Sequence, residues 1–192
     1  MTERPQAERP KTALLLVDVI NSFFERGHPN YYEGVEDVLD PMRRLREAAR
    51  ASGAITVHAV ERHRPGFDDF EWRKLPIHHL EDAHDANFFA DFRPEGENET
   101  TVCKRRFSAF FATDLALFLT EQKVNRVIVA GVKTNVCIRA TAQDAFANGF
   151  EPVLVREATN SNRPHLAAAS LEDIDRYMGR VVGLEEGLEM LK

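Results

Sequence analysis

Three side chains of this 192-residue chain could do chemistry together: Asp18, Lys104 and Cys137. Each lies just beyond an apolar run, and a thiol, a carboxylate and an ammonium group have complementary uses. The thiolate attacks an amide-like carbonyl, the aspartate takes and returns the proton, and the lysine holds the charges in place. Taken singly, each has a plain alternative: an Asp after a strand is often a loop cap, and a Lys at a strand end is usually solvated.

Cys137 carries the strongest signal. In Val127-Ile128-Val129-Ala130-Gly131-Val132-Lys133-Thr134-Asn135-Val136-Cys137 the apolar run reads as a buried parallel strand, because no polar residue alternates through it. Gly131 permits a turn, and Thr134 or Asn135 can cap a helix beginning there. The thiol then sits in the first turn, where unpaired N–H groups and the helix dipole lower its pKa. The same N–H groups offer an oxyanion site. A buried, inert cysteine is the alternative; strand, turn, cap and thiol occurring together favour the reactive one.

The elements that must position these residues alternate. Thr12–Val17, Ala54–Val60, Thr101–Lys104, Arg126–Ala130, Pro152–Val155 and Arg180–Val182 read as strands. Helical spacing covers Val35–Arg50, Asp114–Gln122, Asn135–Asn148, Leu166–Tyr177 and Leu184–Leu191. The pattern predicts an α/β fold: a three-layer αβα arrangement of Rossmann-like type, with a mostly parallel sheet of about six strands covered by helices on both faces. In such sheets ligands bind beyond the carboxyl ends of the strands, the edge that Asp18, Lys104 and Cys137 share. Cys103 is expected on the opposite face of its strand, in the core. Residues 1–10 read as a polar, disordered tail, and residues 11–192 as one domain. A long insertion at about 61–100 holds Trp72, the only tryptophan, and reads either as a functional lid or as a solvated spacer.

Composition bounds the function. With 43% hydrophobic and 29% charged residues, the chain has the make-up of a soluble globular protein. A net charge of -6 and the lack of a basic cluster argue against nucleic acid as a partner. Two cysteines provide no disulfide framework and suit a reducing cytoplasm. No apolar run is long enough for a membrane span, and the polar start does not read as a signal peptide.

Leu14-Leu15-Leu16-Val17-Asp18, Lys104-Arg105-Arg106-Phe107-Ser108-Ala109-Phe110-Phe111 and Gly131-Val132-Lys133-Thr134-Asn135-Val136-Cys137 together carry a resemblance. In their order and spacing the chain resembles the isochorismatase-like cysteine hydrolases. That family includes nicotinamidases, N-carbamoylsarcosine amidases, ureidoacrylate amidohydrolases and biuret hydrolases. The resemblance implies that Asp18 is the general base, Lys104 its electrostatic partner and Cys137 the nucleophile. It also implies a cis Val132–Lys133 peptide, with the Lys133 and Cys137 N–H groups forming the oxyanion hole. The function implied is hydrolysis of a C–N bond in a small carbamoyl, ureido or amide substrate through a thioester-type acyl-enzyme, without a cofactor, in a homodimer or homotetramer. Two alternatives are a metal-dependent nicotinamidase-type amidase and a non-catalytic, ligand-binding member of the family.

Departures from the family narrow the subclass. The true isochorismatases lack the cysteine. Nicotinamidases carry Asp-x-His and a further His that bind metal; here Glu61-Arg62-His63 replaces the first part and no second His follows in the adjoining turn. No metal is therefore expected, and His63 reads as a polar loop residue. Ile20 stands where many members have Gln, which makes the pocket floor more apolar. Phe23, Trp72 and Phe107 are candidates to wall the pocket, with Phe110 and Phe111 beside them. Arg62 and Arg105, together with Arg64 and Arg139, are candidates to hold a substrate carboxylate. Asn160 or Ser161 could donate to substrate or only cap the following helix.

Overall fold

Leu14 and Leu16 turn to one side of the first strand and Ala13, Leu15 and Val17 to the other, and both sets are buried. A strand apolar on both faces must be covered on both, which requires a three-layer fold. The computed structural model describes residues 10–192 and shows that arrangement; the expected tail falls almost wholly on positions 1–9, outside the described residues.

Six strands, β1 (Thr12–Val17), β2 (Thr56–Glu61), β3 (Glu99–Lys104), β4 (Arg126–Val132), β5 (Glu151–Asn160) and β6 (Arg180–Val182), form one sheet in the order β3-β2-β1-β4-β5-β6. Every pair is parallel. Among the described residues six α-helices accompany it: α1 (Asn21–Phe24), α2 (Leu39–Ser52), α3 (Leu115–Glu121), α4 (Arg139–Ala147), α5 (Pro164–Tyr177) and α6 (Leu184–Met190). Met42 and Leu45 of α2 and Leu188 of α6 pack on the face of Leu14 and Leu16. Leu115 and Leu119 of α3, Ala142 of α4 and Ile174 of α5 cover the face of Leu15 and Val17. No helix among the described residues is long and apolar enough to cross a membrane.

Three expectations need correction. The helix expected from Val35 begins as a 3-10 turn, Val35–Val38, and becomes α-helical only at Leu39. β5 runs ten residues rather than the four of Pro152–Val155; exposed Arg156 and Glu157 interrupt the apolar run and hide its continuation into Ala158–Asn160. Cys103 does lie opposite buried Lys104 on its strand, but it is exposed, because β3 is an edge strand with solvent on that face. Residues 62–98 hold two short 3-10 turns, Phe70–Arg73 and His84–Ala86. Their chain runs against the strand ends, through the Ile20–Phe88 and His63–Leu80 bridges.

Candidate active site

The site is built where the sheet reverses its winding, between β1 and β4. Asp18 is the first residue beyond β1 and has a left-handed backbone, φ 55°. An aspartate tolerates that region better than most residues. Its N–H donates to the Ala59 carbonyl at 2.8 Å, and its Oδ1 accepts from the Glu61 N–H at 2.9 Å, which fixes the carboxylate at the edge. On the other side of the crevice Gly131 does not make a turn, as the sequence suggested; it stays inside β4, paired with Val17. Its φ is 123°, and a Cβ there would meet the Val17 carbonyl oxygen at 2.1 Å. Only glycine allows that approach.

Beyond β4 the Val132–Lys133 peptide is cis, as the resemblance implied. The next turn, Thr134–Ile138, is a π-helix leading into α4, and Cys137 lies in it. Thr134 and Asn135 do not cap it: the Thr134 hydroxyl pairs with Thr159 at 2.8 Å, and Asn135 accepts from the Ser161 hydroxyl. These bonds tie the cysteine-bearing turn to β5.

Lys104, at the end of β3, reaches under the sheet edge and is wholly buried. Its Nζ lies 2.8 Å from Asp18 Oδ2 and 3.6 Å from Cys137 Sγ. Oxygens of Asp18 and Glu61 and the Cys137 sulfur lie within 4.8 Å of one another. Burial alone would lower the Lys104 pKa, but the charges of Asp18, Cys137 and Glu61 outweigh it and hold the ammonium form above its ordinary value. Burial pushes the Cys137 thiol well up, with Asp18 and Glu61 adding to the shift and Lys104 opposing it. This direction is opposite to the depression expected at a helix start, because desolvation and the neighbouring carboxylates favour the neutral thiol. A proton acceptor beside the sulfur suits its use as a nucleophile.

A cavity of about 500 Å³ opens over Cys137. Phe23 and Phe107 line it, as the sequence suggested, together with Leu75, Pro76 and Ile77 from residues 62–98. That stretch is thus a wall of the cavity. Arg62, Trp72, Arg105 and Asn160 do not line it. The Arg62 guanidinium lies over the Phe88 ring, Trp72 packs beside His63, and the Arg105 carbonyl accepts from Arg106. The Asn160 side chain is spent on the Tyr32 hydroxyl at 2.7 Å and the Gly34 carbonyl at 2.6 Å. Arg139 pairs with Asp173.

The sequence reading missed His78, His79 and the side chain of Lys133, all of which line the cavity. The doublet His78-His79 was visible, but only the chain's return path shows where it lands. His79 meets Glu61 at 3.1 Å through Nδ1 and the Ser22 hydroxyl at 2.8 Å through Nε2. Burial opposes ionisation of Glu61, yet Lys104 and His79 hold its carboxyl well below the ordinary range.

His63, expected as a polar loop residue and not a ligand, sits in a buried cluster. It is fully buried and is grouped with Glu61, Glu71 and His78, each offering one donor atom within 4.8 Å of the others. His63 Nε2 lies 3.8 Å from both Glu61 and Glu71, and His78 Nε2 lies 3.7 Å from Glu71. Glu61 Oε1, His63 Nε2 and both Glu71 oxygens are buried without a hydrogen-bond partner among the described residues. Two imidazoles and two carboxylates, three of these four side chains with buried atoms that lack a hydrogen-bond partner, suit a divalent cation. Asp69, 2.9 Å from His63 Nδ1, orients the imidazole as an outer partner of a ligand does. The second His that was missing near Glu61-Arg62-His63 is thus supplied fifteen residues downstream of His63. Burial and the Glu61 charge push Glu71 up to about 7, the cost of holding these carboxylates together.

Comparison with known proteins gives a consistent picture. Residues 12–186 match the isochorismatase domain. The chain is 35% identical to a maleamate amidohydrolase of Pseudomonas putida, over 95% of this chain and 87% of that protein. It is 31% identical to an N-carbamoylsarcosine amidase of Arthrobacter, over 94% and 71% of the respective lengths. A solved pyrazinamidase of Pyrococcus horikoshii in complex with zinc superposes with a TM-score of 0.81 at 27% identity, covering 91% of this chain and 99% of that one.

Proposed function

The chain belongs to the isochorismatase domain family, and from that premise we propose that it is a cysteine amidohydrolase acting on the C–N bond of a small carbamoyl, ureido or amide compound. What carries the proposal is the meeting of Cys137, Asp18 and Lys104 at one buried point beside the cavity.

In the mechanism we assign, Asp18 takes the thiol proton as Cys137 Sγ bonds to the substrate carbonyl carbon. The N–H groups of Lys133 and Cys137 receive the negative charge that develops on oxygen. Asp18 passes its proton to the substrate nitrogen, the C–N bond breaks, and ammonia or an amine leaves a thioester on Cys137. Asp18 then takes a proton from water, the hydroxide oxygen bonds to the carbonyl carbon, and the departing thiolate recovers the proton. Lys104, 2.8 Å from Asp18 Oδ2, offsets the charge that Asp18 shares with sulfur during the reaction.

Glu61, His63, Glu71 and His78 would hold a divalent cation at the cavity wall, where it would supply a Lewis acid. That cluster favours a second reading, a metal-dependent amidase of the nicotinamidase type. We also infer a cytoplasmic homo-oligomer; exposed Phe67, Phe70 and Ile77, all in the stretch between β2 and β3, support self-association.

Ammonia release from ureido acids, carbamoyl amino acids, maleamate, biuret and nicotinamide tests the reading, with Cys137→Ala and chelator-treated enzyme alongside. Turnover of an acyclic compound, lost in Cys137→Ala and retained with chelator, is expected. Nicotinamide turnover lost with chelator supports the metal-dependent reading, and residual hydrolysis by Cys137→Ala overturns the nucleophile.

A further inference from the structure

The arginines expected to hold a substrate anion lie off the cavity, yet the cavity contains a cation. Lys133, which heads the turn delivering Cys137, extends its side chain into the lining. Among the described residues no carboxylate lies within 4.0 Å of its Nζ, whereas Lys104 has Asp18 and most of the arginines have acidic partners. The Lys133 ammonium instead stands 5.5 Å from the ring centroids of both Phe23 and Tyr32. Aromatic faces attract a cation without using its hydrogen-bond donors. Three N–H donors thus remain for whatever enters the cavity.

The two acidic residues in the lining are already engaged. Glu61 is bound to His79, and Asp85 accepts from the His79 N–H at 2.9 Å. The Tyr32 hydroxyl is committed to Asn160, so its ring is a fixed platform under Lys133. The rest of the wall is mainly apolar, from Leu75, Pro76, Ile77 and Phe107. An unpaired ammonium in such surroundings costs free energy unless an anion joins it. Burial accordingly lowers the Lys133 pKa, and a bound anion would restore it.

We propose that Lys133 is the specificity residue of this site, its ammonium binding the carboxylate of a substrate that carries a carboxylate and the scissile amide or carbamoyl group on one short chain. This rests on the amidohydrolase reading and deepens it. One residue would serve both ends of the substrate: the Lys133 N–H at the carbonyl and its Nζ at the carboxylate. Compounds too long to span Lys133 and Cys137, or lacking the negative charge, are selected against.

The test uses paired probes, N-carbamoylglycine against its neutral glycinamide counterpart and maleamate against cis-crotonamide. The wild-type enzyme should prefer the acid of the reactive pair. In Lys133→Met the acid-to-neutral ratio of kcat/KM should fall about 10- to 100-fold, mainly through KM, and Lys133→Arg should restore most of it. An unchanged ratio in Lys133→Met, or a wild-type preference for the neutral compound, overturns the proposal but leaves the hydrolase reading in place. Calorimetric binding of the same acids to Cys137→Ala, with and without Lys133→Met, covers the case in which nothing is turned over. Acid binding that depends on Lys133 then supports the anion site although the hydrolase reading has failed, and binding indifferent to Lys133, or none, rejects it.

Discussion

Asp18 Oδ2 and Lys104 Nζ face each other at 2.8 Å with neither side chain exposed to solvent. They come from strands that are not neighbours in the sheet, β1 and the edge strand β3, and Glu61 at the end of the intervening β2 contributes a backbone N–H to the same carboxylate. A buried ion pair of this kind does more to define a site than to stabilise a fold.

Asp18→Asn should slow turnover by about 10²–10⁴-fold through loss of the proton acceptor. It should also destabilise the protein by about 3–5 kcal/mol, because Lys104 is left as a buried, unpaired cation. The double variant Asp18→Asn/Lys104→Met should recover much of that stability in urea melts while staying inactive. A single variant that is both stable and active would show that another group takes the proton.

Gly131→Ala should cost far more than Gly27→Ala. Both glycines have positive φ, but a Cβ at Gly27 meets nothing within 4 Å, whereas at Gly131 it strikes the Val17 carbonyl. The Gly27 variant should lose about 1–2 kcal/mol for backbone conformation alone. The Gly131 variant must also separate β1 from β4, and should lose both soluble yield and activity. Equal thermal midpoints for the two would contradict the close approach.

Glu99 should govern part of the acid limb of stability. Burial works against its charge, but the Arg50 guanidinium and the Glu95 N–H hold its carboxyl down at about 2, with His58 also bonded to it. Since the folded value lies below the ordinary 4.5, its contribution is present above that pH and is lost as the pH falls towards 2. Glu99→Gln should flatten the fall in stability over that range by on the order of 2 kcal/mol. Parallel wild-type and variant melts at pH 2.5 to 6 check it; superimposable slopes would remove Glu99 from the account.

Zinc should bind one ion per chain at Glu61, His63, Glu71 and His78, seen by calorimetry and by a rise in melting temperature. At a hundredfold excess over Kd the gain is about 2.7 kcal/mol. His63→Ala and Glu71→Ala should abolish both signals, and zinc stabilisation persisting in them would place the ion elsewhere.

The layers, the parallel order of elements and the three residues that meet at the crevice were legible in the sequence because each leaves a local mark. A strand buried on both faces loses polar alternation, as Leu14–Val17 and Val127–Ala130 do, and a titratable side chain follows such a run, directly at Asp18 and one turn later at Cys137. What surrounds those residues left no such mark. His78 reaches His63 only because the chain between β2 and β3 folds back on itself, and no periodicity encodes a return path. The Cys137 thiol shifts upward because desolvation and the charge of Asp18, distant in sequence, overcome the local helix start. Arg62 and Arg105 carry the charge expected of a substrate handle but do not line the cavity, while Lys133 does, beside the rings of Phe23 and Tyr32. Residue type and local order reside in the chain itself; burial, partners and direction arise from contacts between distant segments, and only the tertiary structure decided them.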